Sequence, residues 1–376
     1  MIYLDNAATT LRKPTEVYLR SNEVFRYYSA NAGRSGHKPA VEAAEIIYSA
    51  RCAAAEFLNI EKTENVIFTF GCTDSLNLVI KGLFSENDHV ITTAYEHNSV
   101  LRPLEYMKAN SMLDYTVLFP EEDGKIRIES FENAIQKNTK AIIVNFVSNV
   151  TGYVQNLKEI SELCAKRNLL LIADCAQGAG VQKIECHVDY LCCACHKGLY
   201  GPQGIGILAI SPSAPLPTPL RFGGTGSKSF DLVQPKDMPE YLESGTMSVQ
   251  NIASVEAGIR FVQANREKIY AHETKLANLL IKGLHSIKGV TVYSPSKAKS
   301  GVVAFNIRDI DSNVISQVLD KQFCIASRGG FHCAPLVHKF LNTQTQGAVR
   351  LSIGIFNTEK EIFTTLNAIE KIAKSL

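Results

Sequence analysis

"VDYLCCACHKGLYGPQGIGILAI", Val188–Ile210, is the stretch on which the fold turns. An apolar run closes in His196-Lys197, a Gly-rich turn follows, and a second apolar run begins at Gly204. Cys192, Cys193, Cys195 and His196 first suggest a metal site. Zinc ligands, however, come as spaced pairs from turns. Adjacent residues of a strand point to opposite faces, so Cys192 and Cys193 share an ion poorly. Free cysteine packs as a small hydrophobe. The three cysteines are therefore expected to pack, with no metal bound, and the chemistry is expected at Lys197. An amine at the end of a buried strand can lose its proton and form a Schiff base.

Working outward, further β-rich runs have the same character: "NVIFTF" (65–70), "HVITTA" (89–94), "AIIVNFV" (141–147) and "LLLIAD" (169–174). Between them lie the helical patterns "TDSLNLVIKGLF", "SVLRPLEYMKAN", "IESFENAIQKN" and "NLKEISELCAKRN". Strands without polar alternation, separated by helices, predict a mainly parallel α/β sheet covered on both faces. Residues 212–238 read as a long Pro/Gly/Ser-rich loop. A helix from near Val249 leads to a second region, where "VTVYSP", "SGVVAFNI" and "AVRLSIG" read as strands of a smaller α+β domain. We expect a large domain over 15–261 and a small one from 1–14 and 262–376.

The length, 376 residues, suits two domains. A formal net charge of +2 gives no reason to expect nucleic acid or an anionic membrane. The apolar runs are too short to span a bilayer, and "MIYLDNAATT" is no signal peptide. With ten scattered cysteines, this predicts a cytoplasmic protein with reduced thiols.

Ligands of such sheets gather at the carboxyl ends of the strands. There the sequence offers Gly71-Cys72-Thr73, His97, Asn149, Asp174 with Gln177, and His196-Lys197. Each has an ordinary reading alone: a helix cap, a surface histidine, a strand-end lysine in water. Together they match what pyridoxal phosphate requires. Lys197 is the Schiff-base lysine, and Asp174 the acid facing the pyridine nitrogen. His97 is the flat group on the ring, and Gly71–Thr73 the phosphate cup at a helix start. Downstream, "ASRGGFHCAPLVHKF" places Cys333 among turn residues, where Arg328 and His332 could favour the thiolate. Arg350, in "GAVRLSIGIFNT", is either a clamp for a substrate carboxylate or an internal salt bridge.

The motifs "NAGRSGH", "GCTDSLNLVI", "EHNSVLRP", "VSNVTG", "ADCAQGAG", "CHKGLYGPQGIG", "GGTGS", "LESGT", "RGGFHCAP" and "VRLSIGIFNT" run through nearly the whole chain. With them the sequence resembles the cysteine desulfurase and selenocysteine lyase family of class V aminotransferase-type enzymes. The resemblance implies a fold type I pyridoxal phosphate enzyme and a homodimer with active sites at the subunit interface. It implies that Lys197 carries the cofactor and moves the substrate α-proton, Asp174 pairs with the ring nitrogen, and His97 stacks on the ring. Gln177 and Asn149 lie near the ring hydroxyl. Thr73 and His196 bind the phosphate, and Thr246 reaches the partner's phosphate. Arg350, with Arg328 and Asn149 nearby, holds the substrate carboxylate. Cys333 takes the sulfur of L-cysteine as a persulfide, leaving L-alanine, and its segment resembles the compact group II cysteine loop. L-selenocysteine as substrate, another class V reaction and a cofactor-free sulfur carrier are the alternatives, and a sulfur or selenium acceptor protein is a possible partner. Two positions depart from the family. Ala194 stands where Ser or Thr is usual, and Cys72 where Thr is common, so the phosphate cup is expected to be weaker or completed elsewhere, for instance by Ser227.

Overall fold

The computed structural model describes residues 1–33 and 35–375; Arg34, in the "NAGRSGH" segment, and Leu376 lie outside the described residues. The strands are β1 (Ile2–Tyr3), β2 (Val66–Thr69), β3 (His89–Thr93), β4 (Asp114–Leu118), β5 (Thr139–Asn145) and β6 (Leu170–Asp174), then β7 (Tyr190–Ala194), β8 (Gly206–Ile210), β9 (Val290–Val292), β10 (Val302–Ile307), β11 (Ile325–Ala326) and β12 (Val349–Ser352). The main sheet has the order β2-β8-β7-β6-β5-β3-β4. Its strands are parallel except β8, which runs against both neighbours.

The apolar runs form this sheet because both faces are covered. On one side, Cys192, Tyr190, Ile67 and Ile143 pack beneath the helices Cys72–Leu83 and Asn98–Ala109. On the other, Cys193, Cys195, Leu171 and Val144 pack beneath Lys38–Leu58, Leu157–Arg167 and the start of Val249–His285. The strand cysteines thus divide between two cores, as their alternation requires. Fully burying a Val, Leu or Ile contributes about 1.5–3 kcal/mol. A one-residue slip of β7 would exchange its two faces and forfeit several such terms. The same register fixes the site, because Asp174 is paired with Asn145 of β5 on one side and Cys192 of β7 on the other.

Two elements differ from expectation. β4 is an edge strand, parallel to β3, and its side chains are exposed or half-buried, so "DYTVL" lacks the apolar continuity of its neighbours. The pattern "IESFENAIQKN" is helical only over Ile128–Ala134, with Phe131 as its buried contact.

A second core surrounds the antiparallel sheet β12-β10-β9, packed by the helices Ser312–Phe323 and Glu359–Ser375. β1 pairs with β11, which brings the N-terminus to this region. The helix Val249–His285 serves both cores: Val249–Ile259 pack on the large sheet and Leu276–Leu284 on the small one. Among the described residues no helix is long and apolar enough to cross a membrane.

Candidate active site

A cavity of about 710 Å³ opens at the carboxyl ends of the central strands. Gly71, Cys72, Thr73, His97, Asn149, Asp174, Gln177, His196 and Lys197 all line it, although they come from separate stretches of chain. Backbone-to-backbone packing of two strand-end turns brings the Asp174 and Lys197 segments together. A Cβ on Gly180 would lie 2.1 Å from the Gly198 carbonyl oxygen, and one on Gly198 would lie 2.2 Å from that of Ala179. Only glycine fits either position.

Asp174 is 4% exposed. Its Oδ1 accepts from the Ala176 N–H at 2.9 Å, and the Cys72 thiol lies 3.4 Å from the same oxygen. Oδ2 makes no hydrogen bond among the described residues. Burial lowers the pKa of Lys197, the Arg350 and Arg328 charges add to this, and Asp174 opposes it. The amine therefore sheds its proton more readily than a free lysine.

His97 caps the helix Asn98–Ala109, with Nδ1 accepting from the Ser99 N–H at 3.0 Å. That acceptor role leaves the proton of the neutral ring on Nε2. Burial lowers the His97 pKa, and the neutral form is favoured. Behind it sits Glu96, wholly buried, whose Oε1 accepts from the Thr93 hydroxyl at 2.6 Å and the Asn145 N–H at 2.9 Å. Burial pushes Glu96 up to about 8.

At the other end of the cavity, Gly71 turns the chain into the helix Cys72–Leu83 at a φ of +149°. The N–H groups of Cys72 and Thr73 make no hydrogen bond among the described residues, which leaves two donors at a helix N-terminus. Asp74 lies in the same turn, but Arg221 pairs with it at 3.0 Å and offsets its charge. The His196 Nδ1 is buried without a partner, and burial with Lys197 and Lys13 lowers this histidine to about 4. Both the free donors and the orphaned ring nitrogen suit a phosphate. Ser227, by contrast, is exposed, 3.4 Å from the Thr225 hydroxyl, and does not line the cavity.

The Cys333 loop comes from the small sheet region and reaches the same rim. The Asn98 N–H donates to the Cys333 carbonyl at 2.7 Å, and Asn149 Nδ2 donates to the His332 carbonyl at 2.7 Å. His332 (φ +51°) and Cys333 (φ +56°) are consecutive left-handed residues, and Cys333 is exposed. His332 itself is buried, with Nε2 2.8 Å from the Ala348 carbonyl, and burial with Arg350 holds its pKa well below normal. It is a neutral strut and supplies no charge to a thiolate, contrary to the expectation from sequence. Arg328 lies beside Arg350 on a backbone bridge.

Arg350 is 1% exposed. Its Nη2 pairs with Asp5 at 2.7 Å, Nη1 donates to the Asn149 carbonyl at 3.0 Å, and Nε is buried without a partner. The internal salt bridge is present, and the Nε–H of the fork is left without a partner. Thr246 is exposed and lies outside the cavity lining. Its segment is anchored by Glu243, which pairs with buried Arg51 at 2.8 Å and accepts from the Phe68 N–H at 2.7 Å. Sequence reasoning missed Glu96, Asn145, Ser99 and Gln203 at or behind the cavity. A polar residue inside the apolar run "AIIVNFV" was the signal for Asn145; the acid before His97 was the signal for Glu96.

The family model for aminotransferase class-V matches residues 2–364. The chain belongs to this family. Among its class-V relatives, a probable cysteine desulfurase from Halalkalibacterium halodurans is 32% identical, with 99% of this chain and 93% of that protein covered. One from Pyrococcus abyssi is 31% identical, covering 100% and 95%. The apo structure of a cysteine desulfurase from Thermococcus onnurineus superposes with a TM-score of 0.92 at 31% identity, over 100% of this chain and 95% of that one. Class-V aminotransferases and cysteine desulfurases depend on pyridoxal phosphate.

Proposed function

We propose that the protein is a pyridoxal phosphate-dependent cysteine desulfurase. It converts L-cysteine to L-alanine and keeps the sulfur on Cys333 as a persulfide. The observation that carries this reading is the tethering of the His332-Cys333 backbone, through Asn98 and Asn149, to the rim of the cavity holding Lys197 and Asp174. An accessible thiol beside such a cavity suits sulfur abstraction. The similarity to proteins described as cysteine desulfurases supports it.

When bound, the cofactor supplies an electron sink for the substrate's carbon skeleton. Asp174 Oδ2 would face its ring nitrogen and His97 its ring, with Gln177 and Asn149 at the hydroxyl edge. Gly71, Thr73, the first-turn N–H groups and His196 would hold the phosphate. Lys197, with its pKa lowered by burial, takes the proton from the substrate α-carbon and returns one later. Arg350, fixed by Asp5, and Arg328 hold the substrate carboxylate. The Cys333 thiolate attacks the substrate sulfur; the S–S bond forms as the substrate Cβ–S bond breaks, the electron pair of that bond stays with the carbon skeleton, and the skeleton leaves as alanine after protonation. We read residues 15–261 as the cofactor domain, 1–14 with 262–376 as the small domain, and the cell compartment as the cytoplasm. A homodimer would bring Thr246, exposed in one subunit, to the partner's cofactor.

Purified protein should take up pyridoxal phosphate with a visible absorbance band that Lys197→Ala abolishes, and should release alanine from L-cysteine with one sulfur per alanine. Cofactor uptake without alanine release would overturn the desulfurase reading.

A further inference from the structure

Resting on the cofactor reading above, we propose that Cys72 is a positioning residue: its thiol holds Asp174 Oδ1 so that Oδ2 is presented to the ring nitrogen. Because of the extended, positive-φ turn at Gly71, Cys72 enters the helix with its side chain directed down onto the ends of β6 and β7. Sγ lies 3.4 Å from Asp174 Oδ1 and 3.3 Å from the Cys192 carbonyl oxygen. The phosphate end of the cavity is therefore served by the Cys72 backbone N–H, while its side chain serves the opposite task. At this position, where the resembling family commonly has threonine, the side chain meets the carboxylate.

The assignment follows from hydrogen-bond arithmetic. A thiol has one proton, so at any moment it serves one of its two acceptors. The Cys192 carbonyl already accepts from the Cys175 N–H at 2.8 Å. Asp174 Oδ1 has one other donor, the Ala176 N–H, and carries charge that strengthens a hydrogen bond. With Oδ1 held from two directions the carboxyl plane is fixed, and Oδ2 is left unengaged on the cavity side. Cys72 is buried, and burial together with Asp174 raises its pKa well above normal, so the S–H donor form persists. The alternative is that Cys72 packs as a small hydrophobe with no directional contact.

Two readouts decide. The S–H stretching band of Cys72 is isolated by infrared difference between the full-length protein and Cys72→Ala. Donation to the carboxylate predicts that Asp174→Asn moves this band to higher wavenumber. A band that does not move overturns the proposal. Second, the dissociation constant of pyridoxal phosphate should rise roughly threefold in Cys72→Ala, in keeping with loss of a hydrogen bond at the weak end of its range. Cys72→Ser, which restores a donor, should recover most of that loss. Equal affinities in all three proteins, with only the melting temperature of the cofactor-free form lowered, would reduce Cys72 to packing and refute the positioning role. If the wild-type protein binds no pyridoxal phosphate, the functional reading fails, while the infrared result still tests the thiol–carboxylate contact.

Discussion

Cys72 and Cys333 are two thiols serving one reaction centre from opposite surroundings. Cys72 lies at the floor of the cavity, buried, its proton retained by desolvation and by Asp174. Cys333 lies at the rim, exposed, on a loop held by backbone contacts to Asn98 and Asn149. The floor is a set of desolvated groups with shifted acidity: Lys197, His97, His196 and Glu96. At the rim the reactive group is free and its supports are the buried ones, Arg350 and neutral His332. Desolvation suits groups that must hold a cofactor in a fixed protonation state. A sulfur carrier must instead meet substrate and acceptor, so here rigidity resides in the backbone and access in the side chain.

The largest expected effect comes from removing the rim thiol. Cys333→Ala should lower alanine formation from L-cysteine on the order of 10³-fold or more while cofactor absorbance stays intact. Turnover of L-selenocysteine that survives in this variant would identify selenium as the less demanding leaving group, and unchanged cysteine turnover would remove Cys333 from the mechanism. Next comes Arg350→Lys. The planar fork that reaches Asp5 and the Asn149 carbonyl is lost, so stability should fall by about 2 kcal/mol, the size of a charge-assisted hydrogen bond. A misplaced substrate should also cost up to about 10² in rate. Melting temperature and steady-state kinetics on one preparation separate the two, since normal kinetics in a less stable protein would leave Arg350 a salt bridge only.

Asn149→Ala sharpens the comparison more gently. It frees the His332 carbonyl, and loss of about 1 kcal/mol of loop fixation should slow sulfur transfer roughly fivefold. Equal rates would mean that the Asn98 contact alone holds the loop, and would remove the Asn149 side chain from the cofactor's hydroxyl edge. The remaining effect belongs to the floor and is read as the slope of stability against pH. Glu96 is raised to about 8 in the folded chain, so its contribution is complete at low pH and is lost as pH rises through about 8. Between pH 6 and 8 the wild type should lose stability to urea faster than Glu96→Gln, which keeps the shape of the protonated acid. A residual slope is expected from Glu273, also raised to about 8, and identical slopes would show that Glu96 does not titrate there.

The floor was the more legible of the two regions. Apolar runs ending in Asp174, His97 and Lys197 reveal both the sheet and its polar rim, because buried parallel strands leave few other places for such residues. β4 escaped notice because this edge strand is at most half-buried and begins with a charge. The supports of the rim were hidden for a different reason. Arg350 meets Asp5 across 345 residues, and the Asn149 contact to His332 spans 183, so no local pattern announces them. The direction of the Cys72 side chain depends on the turn at Gly71, which sequence marks as a turn without saying where it aims the next residue.

The central claim, that the buried cavity activates L-cysteine and the rim thiol receives its sulfur, is tested most directly by one substrate turnover without reductant. The protein loaded with pyridoxal phosphate is given one equivalent of L-cysteine, its remaining thiols are blocked, and its peptides are weighed. The account predicts alanine in solution and the mass of one added sulfur on the peptide carrying Cys333, with no added sulfur on Cys72 or the strand cysteines. Alanine formed with the added sulfur on another cysteine, or on none, would contradict it.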